Sequence, residues 1–303
     1  MIHYLRSIFL AARPKTLPAG IVAVWAGCVI VHKFQVHMPE TGIRLNGMLA
    51  IFTVLSCMCI QIACNFFNDS IDATRHADTQ KRQGPRRITA SGDMSPLAVK
   101  LWGCAFLSAA ALFAIPLIEA QGWPILAIGI PSMFFAYGYT GGPWPLAYHG
   151  LGELFVLLFF GLVAVAGTVF VQVGWQPGFE HIYATAFIIG IQCGLLSCVL
   201  IEVNNIRDRK EDAGTGKRTL AVRLGDGKAR GLAMAFIVAP YVTLKQTAFF
   251  LPGFNWNFCW VAAILLGGYV LLKIRTMPAN KKMNILLGLS SLHMILFLLA
   301  LTL

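Results

Sequence analysis

Charged residues are scarce in this sequence of 303 residues. Asp, Glu, Lys and Arg together make up 12% of it, whereas an ordinary soluble domain carries about a quarter. Hydrophobic residues account for 57%, and the mean hydropathy is +0.69. This balance excludes an ordinary soluble domain and favours a chain that is surrounded by lipid.

Several common site motifs are also missing. The eight cysteines include no C-x-x-C pair and no His/Cys group at zinc-ligand spacing, so we expect them to pack as small apolar side chains. The sequence has no P-loop, because Gly141 and Gly142 lead into a proline and lack the spacing and the lysine of that motif. No pattern of alternating apolar and polar residues, as in a membrane barrel, is present.

Long apolar runs dominate what remains. A membrane-spanning helix needs roughly 20 mainly apolar residues, and backbone polar groups in hydrocarbon must be paired within the helix. We therefore predict an all-α integral membrane protein with nine transmembrane helices, in a single domain over residues 1–303. The predicted spans are residues 17–33, 46–66, 97–118, 123–140, 151–173, 182–203, 229–251, 256–273 and 284–303.

The net charge of +11 comes from basic residues that lie in short segments between these runs. With nine spans, 21 of the 24 Lys and Arg residues fall on the side of the N-terminus, leaving Lys33, Arg44 and Lys245. Basic loops face the cytoplasm, so this predicts a cytoplasmic N-terminus and cytoplasmic polar loops at about 67–96 and 206–228. A nucleic-acid partner is not expected, because the basic residues form no continuous stripe.

The first polar loop begins with acidic and amide residues at helical spacing. Asn65, Asn68, Asp69 and Asp72 are spaced i, i+3, i+4 and i+7, so on a helix they share one face. This face continues directly from an apolar span. We therefore expect it to turn toward the interior of the bundle at the cytoplasmic end.

The second polar loop repeats the same arrangement. Asn204, Asp208 and Asp212 are spaced i, i+4 and i+8 and also follow an apolar span. The two loops hold eight of the 13 acidic residues, which a preference for basic cytoplasmic loops does not explain. The alternative is that these acids pair with loop bases on a solvated surface.

Two opposed carboxylate faces suit a magnesium-bound diphosphate. Mg²⁺ is usually held by one or two carboxylates together with phosphate oxygens and water, and the cation relieves the repulsion between carboxylates. The predicted metal ligands are Asn68, Asp69, Asp72, Asp78, Asn204, Asp208 and Asp212. Basic side chains would bind the remaining phosphate oxygens, and the candidates are Lys15, Arg75, Lys81, Arg82, Arg87, Lys217 and Arg218.

At these residues the sequence resembles the UbiA-type superfamily of intramembrane prenyltransferases. The matching motifs are Asn68-Asp69-x-x-Asp72 followed by Asp78, and Asp208-x-x-x-Asp212. The resemblance implies a helical bundle around a central cavity with a side opening to lipid. It also implies Mg²⁺-dependent transfer of a polyprenyl group from its diphosphate to an acceptor, in which Asp69, Asp72, Asp208 and Asp212 act catalytically.

Softer motifs bear on the acceptor. The stretches 13–18, 139–153 and 204–225 resemble the members of that superfamily that use 1,4-dihydroxy-2-naphthoate in menaquinone synthesis. Members that use 4-hydroxybenzoate carry basic residues soon after the tyrosine of the fourth span, and residues 141–148 contain no Lys or Arg. The resemblance thus implies prenylation and decarboxylation of the naphthoate to give demethylmenaquinol, in the inner membrane of a bacterium.

Alternatives remain open from the sequence. The acceptor could be 4-hydroxybenzoate, homogentisate or a lipid alcohol. A transporter of phosphorylated lipids or divalent cations would favour acids at the membrane midplane, whereas these acids lie at one face. Glu153 either handles the acceptor's hydroxyl or proton, or pairs with a loop base. Tyr139 either packs, or stabilises a developing cation through its π face.

Overall fold

Helices are the regular secondary structure of the described residues. The computed structural model describes residues 2–77, 83–84 and 87–303. The α-helices are α1 (Ile2–Ala11), α2 (Pro18–His37), α3 (Gly47–Thr74), α4 (Pro96–Gln121), α5 (Pro124–Gly138), α6 (Gly152–Leu157), α7 (Ala164–Val173), α8 (Glu180–Gly214), α9 (Leu220–Val242), α10 (Leu244–Phe250), α11 (Phe258–Thr276) and α12 (Asn284–Thr302). A π-helical segment, Leu158–Val163, joins α6 to α7.

Eight helical stretches in the described part of the chain are long and apolar enough to cross a membrane. They coincide with eight of the predicted spans. One stretch combines α6 and α7, and another combines α9 and α10. The remaining predicted span, residues 123–140, corresponds to α5. Its 15 residues extend about 22 Å, which is less than the roughly 30 Å of a hydrocarbon core. The all-helical membrane fold is confirmed, and the count of nine stays a prediction.

The short helix α5 nevertheless joins opposite ends of the bundle. At its start, Gln121 donates a hydrogen bond from Nε2 to the carbonyl oxygen of Val171, at the end of α7. Just beyond its end, the Thr140 hydroxyl donates to Asn68 Oδ1, near the end of α3. The chain therefore returns through α5 to the end of the bundle that carries the aspartates.

The two polar loops, at about 67–96 and 206–228, begin as helix. Residues 67–74 and 206–214 are the last turns of α3 and α8, in agreement with the helical spacing of their aspartates. Hydropathy marks where an apolar run ends, and a helix can continue in polar sequence because its backbone bonds stay inside the helix. With 35 residues, α8 is about 52 Å long and extends well beyond the hydrocarbon.

Close packing around α8 fixes the position of this long helix. Gly161 in the π-helical segment faces Gly194 on α8, and a methyl group on Gly161 would lie 2.8 Å from the Gly194 Cα. Only glycine lets the two backbones approach this closely. Because the main buried apolar cluster also includes many residues of α8, this helix forms a rigid support for the acidic residues at its end.

Candidate active site

The ends of α3 and α8 meet at one cavity of about 330 Å³. Asn68, Asp69 and Asp72 reach it from α3. Asn204, Asp208 and Asp212 reach it from α8, so six of the seven predicted metal ligands line the same space. The other sequence-predicted residues that line it are Lys15, Arg87, Tyr139, Glu153 and Lys217. Asp78 lies outside the described residues.

Asp72 is the most heavily buried of these carboxylates, with 1% of its surface exposed. Tyr148 donates a hydrogen bond to Oδ1 at 2.8 Å, and the Lys217 ammonium lies 3.1 Å from Oδ2. Burial and the Asp72 charge raise the pKa of Tyr148, so its hydroxyl stays protonated as a donor. Lys217 thereby links the segment after α8 to the end of α3.

Asp69 has a different environment. Its two oxygens accept hydrogen bonds from the backbone N–H groups of Ile88 at 3.2 Å and Thr89 at 2.9 Å. The carboxylate therefore holds residues 88–89 against α3. A carboxylate has further lone pairs, so its role as a metal ligand stays a prediction.

Asp208 is paired within its own helix. Arg207 donates from Nε and Nη2 to the two Asp208 oxygens, each at 2.7 Å, and both side chains are buried. Arg207 also donates from Nη1 to Asn284 Oδ1, at the start of α12. A bidentate pair of this kind fixes the orientation of both groups.

The donors of the cavity suit a metal only together with a ligand that supplies further oxygens. Among the described residues, no three His, Cys, Asp or Glu side chains are close enough to hold an ion by themselves. Mg²⁺ does not require this, because one or two carboxylates with phosphate oxygens suffice. Buried carboxylate and amide oxygens from two facing helices are hard ligands of the right type, so the residues fit a magnesium ion bound together with a diphosphate.

Only some of the predicted basic residues reach the cavity. Lys15, Arg87 and Lys217 line the cavity. Arg75 lies farther out: its guanidinium covers the Tyr148 ring at 5.1 Å and donates to the Gly142 carbonyl oxygen. The side chain of Arg218 is exposed to solvent. Lys81 and Arg82 lie outside the described residues.

Glu153 lines the cavity and is hydrogen-bonded to its neighbour Asn205. Its Oε1 accepts a hydrogen bond of 2.6 Å from the Asn205 amide. No described lysine or arginine forms a salt bridge with it, and the loop bases Lys81, Arg82 and Arg86 lie outside the described residues. Glu202, fully buried on α8, lies within hydrogen-bonding reach of Glu153.

A second cavity, of about 270 Å³, continues from the first toward the middle of the bundle. Its walls are mainly apolar and come from α2, α3, α4, α5, α8 and the stretch from α6 to α7. The residues that line both cavities define the junction between them: Arg13, Thr16, Asn68, Tyr139, Ile201 and Asn204. A polar chamber that holds acids and bases thus opens directly into an apolar one.

Several residues of the site were not predicted. The sequence predicts Arg13 and Arg207 only as basic residues of cytoplasmic segments, although they line the cavities. It predicts no role for Glu202, Asn205 or Tyr148. The one available signal was Glu202, an acidic residue inside an apolar run, since such residues are functional candidates by default.

Comparison with known proteins agrees with this geometry. The model of the UbiA prenyltransferase family matches residues 39–286. The chain belongs to this family. The 1,4-dihydroxy-2-naphthoate octaprenyltransferase of Haemophilus influenzae is 34% identical over 226 residues, which cover 72% of this chain and 69% of that protein. The Escherichia coli protein of the same name is 31% identical, with 83% and 79% covered.

Solved structures confirm the UbiA fold. A UbiA homologue from Archaeoglobus fulgidus bound to DMAPP and Mg²⁺ aligns with a TM-score of 0.60 over 98% of this chain and 99% of that one. The same homologue bound to GPP and Mg²⁺ gives a TM-score of 0.61, with 98% and 99% covered. Sequence identity is only 15% and 14%, so these likenesses establish the fold alone.

Proposed function

We propose that this UbiA family member transfers a polyprenyl group from polyprenyl diphosphate to 1,4-dihydroxy-2-naphthoate, with loss of carbon dioxide, to give demethylmenaquinol. The observation that carries the proposal is the junction of the two cavities. The diphosphate would lie in the acidic cavity and its hydrocarbon tail in the apolar one. The reacting carbon would then sit at the junction.

The acidic cavity would bind the diphosphate through Mg²⁺. Asn68 and Asp72 on α3, with Asp208 and Asp212 on α8, are the residues that would hold it. When bound, the metal supplies charge stabilisation for the leaving diphosphate. Lys15, Arg87 and Lys217 would contact phosphate oxygens directly, and their positive charges favour the separation of the diphosphate from the allylic carbon.

The junction suits an aromatic acid. Arg13 is the one Lys or Arg among the described residues that lines both cavities, so a carboxylate seated at the junction would face a guanidinium. Glu153, which lines the acidic cavity, would accept a hydrogen bond from the acceptor's hydroxyl. The Tyr139 ring beside it would face the developing allylic cation. The apolar walls would keep water from the cation.

The proposed location is the cytoplasmic membrane of a bacterium. Most of the basic residues lie at the end that carries the aspartates, which would place the active site and the N-terminus on the cytoplasmic side. The named naphthoate relatives in Haemophilus influenzae and Escherichia coli are bacterial, which supports the same assignment.

Mass spectrometry of the reaction product tests the proposal. Purified protein is incubated with geranylgeranyl diphosphate, Mg²⁺ and equal amounts of 1,4-dihydroxy-2-naphthoate, 4-hydroxybenzoate and homogentisate. We expect a prenylated, decarboxylated naphthoquinol, and a loss of rate of about a hundredfold or more in Asp72→Ala and Asp208→Ala. Exclusive prenylation of another acceptor would reject the naphthoate. Flux of a phosphorylated lipid or of Mg²⁺ across vesicles without any product would instead favour the transporter.

A further inference from the structure

The chain turns between α1 and α2, and the turn of residues 12–16 carries Arg13 into the junction of the two cavities. Arg13 has a positive φ of 54°. This conformation is uncommon for a residue other than glycine, and it persists only where the surrounding structure holds it. Pro14 follows directly, and a proline disfavours the right-handed helical conformation in the residue before it. Helix α1 therefore ends before Arg13.

The turn is closed by bonds to the carbonyl oxygen of Arg13. The backbone N–H and the hydroxyl of Thr16 donate to this oxygen, at 3.0 and 3.1 Å. Both bonds lie within the turn, so they fix its shape but not its position over the cavities. The position depends on contacts with other helices.

Two buried amide side chains of α3 supply such contacts. Asn65 Nδ2 donates to the carbonyl oxygen of Ala12 at 3.0 Å. Gln61 Nε2 donates to the carbonyl oxygen of Thr16 at 2.8 Å. The amides are one helical turn apart, and their bonds reach the chain on either side of Arg13. Because both side chains are buried, water competes only weakly for these bonds.

These amides belong to a different part of the site from the aspartates of α3. The sequence spacing groups Asn65 with the acidic face, yet its amide binds the turn. Neither Gln61 nor Asn65 is among the described residues that line the acidic cavity. The loss of either amide should therefore displace Arg13 and leave the groups that would hold the diphosphate in place. Lys15, the other base of the turn, has its own support, because Ser291 on α12 donates to its carbonyl oxygen at 2.9 Å.

We propose that Gln61 and Asn65 are positioning residues that hold Arg13 against the acid group of the aromatic acceptor. They would thereby favour an acceptor with a carboxylate over a neutral one. The proposal rests on the proposed function, because it takes an aromatic acid as the occupant of the junction. A guanidinium binds a carboxylate through two parallel hydrogen bonds, and this geometry is lost when the turn moves by about an ångström.

The test uses Asn65→Leu and Gln61→Leu in the purified full-length protein. The KM values for 1,4-dihydroxy-2-naphthoate and geranylgeranyl diphosphate are measured, together with the Ki of 1,4-naphthalenediol, a competitor that lacks the carboxylate. We expect the KM for the naphthoate to rise by about tenfold, since a hydrogen bond to a charged group contributes about this much to affinity. The KM for the diphosphate and the Ki of the diol should stay within about twofold. Gln121→Leu is the matched control, because it loses a bond from an amide to a carbonyl oxygen at the other end of the bundle.

A double variant separates positioning from a general loss of structure. Asn65→Leu should add at most about twofold to the naphthoate KM of Arg13→Gln, because its effect acts through Arg13. Independent effects would multiply. Multiplied effects, an unchanged naphthoate KM in both leucine variants, or an equal rise in the Ki of the diol would overturn the proposal. If a leucine variant does not fold, Asn65→Ala and Gln61→Ala replace it under the same criteria.

Thermal stability provides a second measurement that needs no turnover. The naphthoate should raise the Tm of the wild type and of Gln121→Leu, and should raise that of Asn65→Leu and Gln61→Leu much less. If the wild type prenylates 4-hydroxybenzoate instead, the naphthoate is rejected as the acceptor. A rise in the KM for 4-hydroxybenzoate alone, in the same two variants, would still support the role of the amides.

Discussion

The ion pair between Lys217 and Asp72 can be broken without touching a carboxylate. Asp72 is 1% exposed and the Lys217 side chain is 12% exposed, so water screens the pair only weakly. At 3.1 Å the attraction is about 5 kcal/mol for an effective dielectric constant of 20, before the cost of desolvation. Removing one partner of a buried pair costs about 3 to 5 kcal/mol, because the other charge is left buried. We therefore expect Lys217→Met to lower the Tm by several degrees.

Magnesium should reverse part of this loss. In Lys217→Met a cation can replace the missing ammonium beside Asp72, and a ligand at a hundred times its Kd stabilises the folded state by about 2.7 kcal/mol. The assay is a thermal melt in detergent, with and without Mg²⁺. It compares the wild type, Lys217→Met, the double variant Lys217→Met/Asp72→Asn and the exposed control Lys228→Met. The reasoning would be refuted if Lys217→Met had the Tm of the wild type, or if Mg²⁺ raised the Tm of the double variant as much as that of Lys217→Met.

Three further substitutions separate the roles of the site residues. Asp69→Asn removes a carboxylate that accepts hydrogen bonds from two backbone N–H groups. It should therefore lower the Tm by a few degrees and also lower the rate of prenyl transfer. An unchanged Tm would contradict the role of Asp69 in holding residues 88–89. Arg13→Gln should raise the KM for the naphthoate by about tenfold or more and leave the KM for the diphosphate unchanged. As a control, 1,4-naphthalenediol, which lacks the carboxylate, should bind the wild type and the variant equally well. Glu153→Gln should lower kcat by about a hundredfold if it handles the acceptor's hydroxyl, with Glu119→Gln, an exposed glutamate on α4, as control.

The apolar runs predicted most of the fold because lipid imposes one solution on them. Long segments without charge must be helices in a membrane, and eight of the predicted spans coincide with helical stretches of spanning length. The helix ends were less predictable, since α3 and α8 continue into polar sequence. The spacing of Asp69, Asp72, Asp208 and Asp212 predicted their helical faces. It did so because a helix places residues three and four apart on one side.

The partners of the aspartates could not be predicted. Lys217 is separated from Asp72 by 145 residues, and nothing local distinguishes it from Arg218, whose side chain is exposed. Arg207 and Asp208 are adjacent in the sequence, which is typical of an ordinary solvated loop. Their burial depends on how α8 packs against α12, and this is a property of the tertiary structure.

Three of the four buried aspartates of the site are stabilised by the protein itself, and in different ways. Asp69 accepts hydrogen bonds from backbone N–H groups, Asp72 is paired with an ammonium and accepts from a phenol, and Asp208 is paired with a guanidinium. These three charges are therefore not left buried and unpaired when no metal is bound. A bound metal would compete with Lys217 and Arg207 for the same oxygens. A bound diphosphate would offer these two bases another partner, and the carboxylates would then be available to the cation. Metal and diphosphate should thus each increase the affinity of the other, because a coupling free energy between two ligands is reciprocal.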